Sequence, residues 1–249
     1  MNKINYEIRP IFQPSGKICK DFARVHISRL SASEQEKLNS NQQLSILTGC
    51  QGVSFCNKLE SAYLNTWNME KNVFAFAAYS AEEMVGFIMG ALRGKNMFTR
   101  SLYVVPQYQR YGIGSNLLDY AERAASCVAL NMELYSLDGS VNFYQRHGYK
   151  NVLVLERIMK IKKLPNVTGV LPVFQWSDKL QAKLNVKFDI DLLKQKYQPI
   201  FVYVNEEHKI DAVAVRMQNG KEKIKINTKK KELSDFYNQQ LSDALSRSL

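Results

Sequence analysis

The sequence predicts an α+β fold: a mixed, mostly antiparallel sheet flanked by helices, followed by a smaller α+β module. Three observations carry that expectation. Apolar runs rich in β-branched and aromatic residues, Val73–Tyr79, Met84–Leu92 and Ser101–Val105, follow one another across short turns, as antiparallel neighbours do. The third run ends at Pro106, which has no N–H to give a sheet, and a glycine loop then opens a helical pattern. From Leu164 onward the chain becomes lysine-rich and its hydrophobic phase changes, so a boundary near Pro165 separates 1–164 from 165–249. With 249 residues, 45% of them hydrophobic, both parts can bury a core.

In chain order, Ile4, Tyr6 and Ile8 alternate with polar residues as a half-buried strand ending at Pro10. Ile18, Phe22, Val25 and Arg29 give a helical stripe over Lys17–Leu30; a polar stretch, 31–43, and a second helix, Ser54–Trp67, follow. Turns fall at Ser80–Glu83 and at Arg93-Gly94-Lys95-Asn96, and Gly86 and Gly90 weaken the strand between them. After the glycine loop, Leu117, Leu118, Ala121, Ala124 and Ala125 share one helix face. A short strand, Met132–Leu137, a short helix, Ser140–Arg146, and a final strand or hairpin, Tyr149–Lys162, complete the first part.

In the second part, Ser177–Asn185 and Asp189–Tyr197 read as capped helices. Pro199–Val204, Lys209–Met217 and Lys221–Asn227 read as a meander whose last turn is Gln218-Asn219-Gly220. A closing helix puts Leu233, Phe236, Tyr237, Leu241, Ala244 and Leu245 on one side.

Strand, glycine loop, helix is the order that makes an anion site. In Gln109-Arg110-Tyr111-Gly112-Ile113-Gly114-Ser115 the glycines let the backbone turn tightly, and free N–H groups at the positive end of the helix point outward. A phosphate or pyrophosphate fits there. Some thirty residues later comes Asn142-Phe143-Tyr144-Gln145-Arg146-His147-Gly148-Tyr149. Together these segments resemble the GNAT superfamily of acyl-CoA-dependent N-acyltransferases, loosely from Tyr6 to Lys163.

The resemblance implies that backbone N–H groups from Gln109 through Arg110, Tyr111, Gly112, Ile113 and Gly114 to Ser115 hold the pyrophosphate of acetyl-CoA, with Arg110 adding charge. It implies that Leu102, Tyr103, Val104 and Val105 line the donor, and that the N–H of Val104 or Val105, freed where the strand splays from its neighbour, polarises the thioester carbonyl. Tyr144 is the implied acid for the leaving thiolate, a phenol being protonated at neutral pH. His147, just before a helix-capping Gly148, reads as a C-terminal dipole partner instead. Many relatives carry a glutamate just before Leu102, where this chain has Arg100 and Ser101; Glu133, Tyr103 or a water chain remain as the base. The asparagine that many relatives carry ahead of the tyrosine helix is missing too. The first two helices of the family wall the acceptor cleft.

The strands Val73–Tyr79 and Val85–Ile88 around an acidic turn are echoed by Ile200–Val204 and Ala212–Val215 around Asn205-Glu206-Glu207, so the tail can be read as a degenerate half of the same fold without Gly-x-Gly. The function expected is an N-acetyltransferase acting on a primary amine in a ternary complex. Its alternative is a non-catalytic acyl-CoA-binding, nucleic-acid-binding or protein-binding module. A formal charge of +11 attracts polyanions, coenzyme A among them, but it is spread along the chain, which disfavours a nucleic-acid groove. Lys221, Lys223 and Lys225 alternate with Ile224 and Ile226 as on a protected edge strand, and Lys229-Lys230-Lys231 follows. Four cysteines without a C-x-x-C pair suit a reducing cytoplasm, and three scattered histidines give no metal signature. No apolar run approaches bilayer length, so no membrane is expected; homodimerisation is left open.

Overall fold

A computed structural model describes residues 4–31, 33–34, 55–70, 73–136, 138–154, 157–195, 198–228 and 231–248. Most of the polar stretch after Ser31, together with Cys50, Ser54, Leu137, Lys229 and Lys230, lies outside the described residues.

The first part is built on a seven-stranded sheet: β1 (Glu7–Pro10), β2 (Val73–Ser80), β3 (Glu83–Arg93), β4 (Asn96–Val104), β5 (Asn131–Leu134), β6 (Lys150–Val154) and β7 (Arg157–Lys163), in the order β1-β2-β3-β4-β5-β7-β6. Only β4 and β5 run parallel. Pro10 is tolerated because β1 is an edge strand. β2 and β3 read as unbroken apolar runs because helices cover both faces of the sheet at its centre, so neither side needs polar residues. On one face, α1 (Gly16–Ile27), capped by Ser15, and α2 (Phe55–Met69) bury Cys19, Phe22, Val25, Tyr63 and Trp67 against β2 and β3. The Phe22 ring stacks on Phe87 with centroids 4.2 Å apart. On the other face, α3 (Ile113–Ser126) lays Leu117, Leu118, Ala121 and Ala125 over Phe76, Ile88, Met132 and Leu134. The final element is a hairpin of β6 and β7, preceded by α4 (Val141–Arg146).

The second part forms its own four-stranded antiparallel sheet of β8 (Gly169–Pro172), β9 (Ile200–Val204), β10 (Ile210–Arg216) and β11 (Glu222–Ile226), ordered β11-β10-β9-β8. β8 was not expected: four residues carrying a left-handed Gly169 and a terminal proline leave no period to read. The helices α5 (Asp178–Gln181) and α6 (Ile190–Leu193) keep the caps Ser177 and Asp189 but last only four residues each. For α5 the reason is visible in the backbone: Lys183 and Asn185 exchange hydrogen bonds with Ile210, so the sheet takes the groups that a longer helix would use. On α7 (Lys231–Ser246) the buried stripe is Tyr237, Leu241 and Leu245, whereas Leu233 and Phe236, expected on the same side, are exposed. β11 is the sheet edge, with Ile224 and Ile226 turned toward α7.

The two parts share an order of elements: strand, two helices, three-strand meander, helix. They meet through Phe174, whose ring packs against Phe12 at 5.0 Å and Phe76 at 5.3 Å.

Gly90 sits opposite Phe74, at a register shift between β3 and β4. A Cβ there would come within 2.3 Å of the Phe98 carbonyl oxygen and 2.4 Å of the Phe74 ring, so the glycine is required by packing. Gly90→Ala is expected to lower stability by about 1–3 kcal/mol, the range for overpacked cores, in urea unfolding; Gly139→Ala, with open space around it, should not.

Candidate active site

The site begins where β4 outruns its neighbour. Parallel pairing with β5 stops at Thr99↔Leu134, yet β4 continues to Val104, so the edge from Arg100 onward is open on that side. The N–H of Val105 donates to the Val85 carbonyl at 2.9 Å, which ties it to β3. Successive residues of a strand point their peptide groups to opposite sides, so Val104 faces the open side. Its carbonyl accepts Nε2 of Gln109 at 3.0 Å, as that orientation requires. The expectation of a free amide at Val104 or Val105 is therefore corrected to Val104 alone. Leu102 and Val104 turn their side chains toward the α3 face, and Tyr103 turns toward α1 and α2.

The glycine loop follows at once. A short 3-10 turn over Pro106–Tyr108 leads to Arg110 at φ 67° and Gly112 at φ 83°, the left-handed conformation that only glycine adopts freely. Gly112 is the residue before α3, and no side chain caps that helix. The first helical hydrogen bond runs from the Asn116 N–H to the Gly112 carbonyl. The amides of Arg110 through Tyr111, Gly112, Ile113 and Gly114 to Ser115 have no acceptor among the described residues. Arg110, Tyr111 and Gly112 are exposed, while the Ile113 side chain is buried and anchors the turn. A run of converging N–H groups, backed by a helix dipole and open to solvent, is an anion cradle. Gln109, tied to β4, holds that cradle beside the open strand edge.

Tyr144, on α4, is buried among Phe143, at 5.0 Å, and Tyr149, at 5.6 Å. Burial first, and the nearby Tyr103 second, push its phenol up to about 12, so it stays a proton donor. His147 donates from Nδ1 to the Phe143 carbonyl at 2.9 Å, and Gly148 at φ 82° ends the helix. Glu133 is a correction. It lies opposite Phe98 and its carboxylate accepts from Asn96 Nδ2. Phe98 is six residues from Val104 on β4, about 20 Å at ~3.3 Å per residue, too far for a glutamate side chain to bridge. The substitutes at the usual carboxylate position are spoken for, since Arg100 is paired with Glu70 at the end of α2.

A polar cluster that the sequence did not single out lies on the α1–α2 side of the open edge. His26 Nδ1 and Tyr63 Oη are 2.8 Å apart, and Ser101 of β4 lies near the same phenol. The imidazole stacks on the Tyr103 ring, with centroids 4.1 Å apart, and the Arg29 guanidinium sits 5.1 Å from the centre of that ring. Burial, then the Arg29 charge, push His26 down to about 4, which keeps it neutral near pH 7. Tyr63 is raised by burial and Tyr103 likewise, so both remain phenols. His26 follows Phe22 by one helical turn, but a lone histidine on an amphipathic helix gave no chemical signal. No group of metal-ligating side chains occurs among the described residues, and none of their helices is long and apolar enough to cross a membrane.

Residues 71–151 match the family described as "Acetyltransferase (GNAT) domain", a span that includes the cradle, the open edge and Tyr144. The chain carries a GNAT acetyltransferase domain. It is thereby an acyltransferase. No curated protein matches the sequence. Among solved structures, PH1933 from Pyrococcus horikoshii OT3 superposes with a TM-score of 0.51 at 17% identity, over 65% of this chain and 99% of that one, and shares the fold. PaiA N-acetyltransferase from Thermoplasma acidophilum, solved with coenzyme A, gives a TM-score of 0.46 at 20% identity, over 64% and 99% of the two chains. The ribosomal-protein-S18-alanine N-acetyltransferase from Escherichia coli gives 0.43 at 14% identity, over 66% and 96%.

Two outcomes follow for this GNAT domain. Glu133→Gln should leave turnover within about twofold of the parent in a thiol-release assay, because its carboxylate is occupied far from the open edge. For His26, the folded imidazole titrates near 4 and a free one near 6.5. Between those values the unfolded state binds more protons, so this group makes stability fall as pH drops from about 6.5 toward 4. His26→Asn should flatten that part of the stability profile in urea melts.

Proposed function

We propose that the protein transfers an acetyl group from acetyl-CoA to a primary amine, with both substrates bound together. The observation that carries this reading is the run of unoccupied amides from Arg110 to Ser115, held by Gln109 beside the unpaired Val104 N–H. The diphosphate of coenzyme A fits a cradle of N–H groups at a helix start, with Arg110 adding a charge-assisted contact. The pantetheine arm, which carries amides of its own, extends the open edge of β4 as a strand would, past Leu102, Tyr103, Val104 and Val105. The Val104 N–H then lies where the thioester oxygen gains negative charge during transfer, and a preorganised donor there lowers the barrier. Tyr144, kept protonated by its surroundings, gives its proton to the departing sulfur. The net positive charge favours capture of a polyanionic donor. The acceptor amine approaches from the side of α1 and α2. Acetyl-CoA as donor and the free thiols of Cys19 and Cys127 suit a cytosolic enzyme.

The module 165–249 is, in the same reading, a degenerate half-copy of the catalytic fold. The shared order of strand, two helices, meander and helix supports that reading. It lacks a donor site, since Asn227, Thr228, Lys229 and Lys230 stand where the first part has its glycines.

Titration calorimetry with acetyl-CoA and a thiol-release assay over a panel of amines test the function. Acetyl-CoA is expected to bind, and at least one amine class to be turned over; absence of heat at saturating acetyl-CoA overturns the reading. Gly112→Val, forced into a left-handed backbone, should weaken acetyl-CoA binding at least tenfold, by about 1.4 kcal/mol or more. Tyr144→Phe should keep that binding and lose on the order of 10²-fold in kcat, the usual weight of a general acid.

A further inference from the structure

We propose that His26 is the group that takes the proton from the acceptor nitrogen, with Tyr63 fixing the imidazole from behind. The proposal rests on the acetyl-transfer reading above and assigns the base that reading lacks.

The acceptor side of the open edge offers few groups able to accept a proton. Residues 100 and 101 are arginine and serine, and Glu133 is held by Asn96 well back along the strand. Tyr63 and Tyr103 are kept as neutral phenols by burial. His26 is different: it is neutral, only partly buried, and oriented on both sides. Its Nδ1 meets Tyr63 Oη at 2.8 Å and its ring lies flat on Tyr103, at an interplanar angle of 20°. In the tautomer that carries its proton on Nδ1 and donates it to Tyr63 Oη, Nε2 keeps its lone pair. Nε2 has no partner among the described residues. Tyr103 links the two halves of the chemistry, since the residue that stacks on His26 also lies near enough to Tyr144 to help keep that phenol protonated. His26 and Tyr144 thus flank the stretch of β4 that ends at Val104. The titratable or charged groups facing His26 and Tyr63 are Arg29, beyond the end of α1, Cys19 on α1 and Tyr103 on β4, with no carboxylate among the described residues.

The step balances without another reactant. The amine nitrogen bonds to the thioester carbon and the carbon–sulfur bond breaks. The proton released by nitrogen passes to His26 Nε2, and the proton of Tyr144 passes to sulfur. Imidazolium and phenolate return to their resting forms by exchange with solvent. A nitrogen bonded to the carbonyl carbon is far more acidic than a free ammonium, so a weakly basic imidazole is sufficient.

The test uses the full chain, acetyl-CoA and the most active amine of the panel. His26→Ala is expected to bind acetyl-CoA within about twofold of the parent and to lose on the order of 10²-fold in kcat. Added imidazole should restore turnover in a concentration-dependent manner. His26→Asn keeps a hydrogen-bonding amide toward Tyr63 but has no proton acceptor; it should show the same loss in kcat. Tyr63→Phe keeps the ring packing and should lose about tenfold, without rescue by imidazole. If kcat of His26→Ala stays within about threefold, if imidazole restores nothing, or if His26→Asn is fully active while acetyl-CoA still binds, the proposal is overturned and the acetyl-transfer reading stands. If the unmodified protein itself gives no heat with acetyl-CoA, that reading falls and the assignment of His26 falls with it.

Discussion

The constraint on which the rest depends is a mismatch in strand length. β5 pairs with β4 only as far as Thr99, and β4 goes on to Val104 before the chain turns. Backbone polar groups inside a sheet normally find partners, so an unpaired edge in the middle of a sheet is a place for an external strand-like molecule. The mismatch is held open from both sides. β3 grips the inner edge of β4 through Tyr103↔Phe87 and the Val105 amide, and Gln109 fastens the following loop to the Val104 carbonyl.

The glycine loop converts that opening into a directed site. Arg110 and Gly112 in left-handed conformations turn successive N–H groups the same way, and α3 places its positive end behind them. The buried Ile113, Leu117 and Leu118 fix α3 on the sheet, so the cradle is rigid where it touches solvent. A non-glycine residue at φ 67° costs on the order of 1 kcal/mol, a strain tolerated here because it aims the amides. The Tyr144 phenol is kept protonated by its surroundings, burial first and the nearby Tyr103 second.

The opposite face of the opening is governed by packing. Phe22, Tyr63, Trp67 and Phe87 form one aromatic cluster, and each large buried ring contributes roughly 1.5–3 kcal/mol. His26 and Tyr63 stand at the border of that cluster, where α1 and α2 meet Ser101 and Tyr103 of β4. Their hydrogen bond satisfies two polar groups that burial would otherwise penalise.

Much of this was legible in the chain itself. The runs Val73–Tyr79 and Met84–Leu92, the Gln109–Ser115 loop and the face of α3 follow from local rules of period, turn and helix start, because each is encoded within a dozen residues. Tyr144 is singled out only by the resemblance of the segment Asn142–Tyr149 to the GNAT motif. What the tertiary structure decided is what depends on partners far apart in sequence. The Val105 amide is engaged by Val85, Glu133 is drawn to Asn96, α5 is cut short by Ile210, and His26 meets residues from α2 and β4. A residue's period says which way it faces, but the strand edge it faces, and whether that edge is filled, is settled only when distant segments pair.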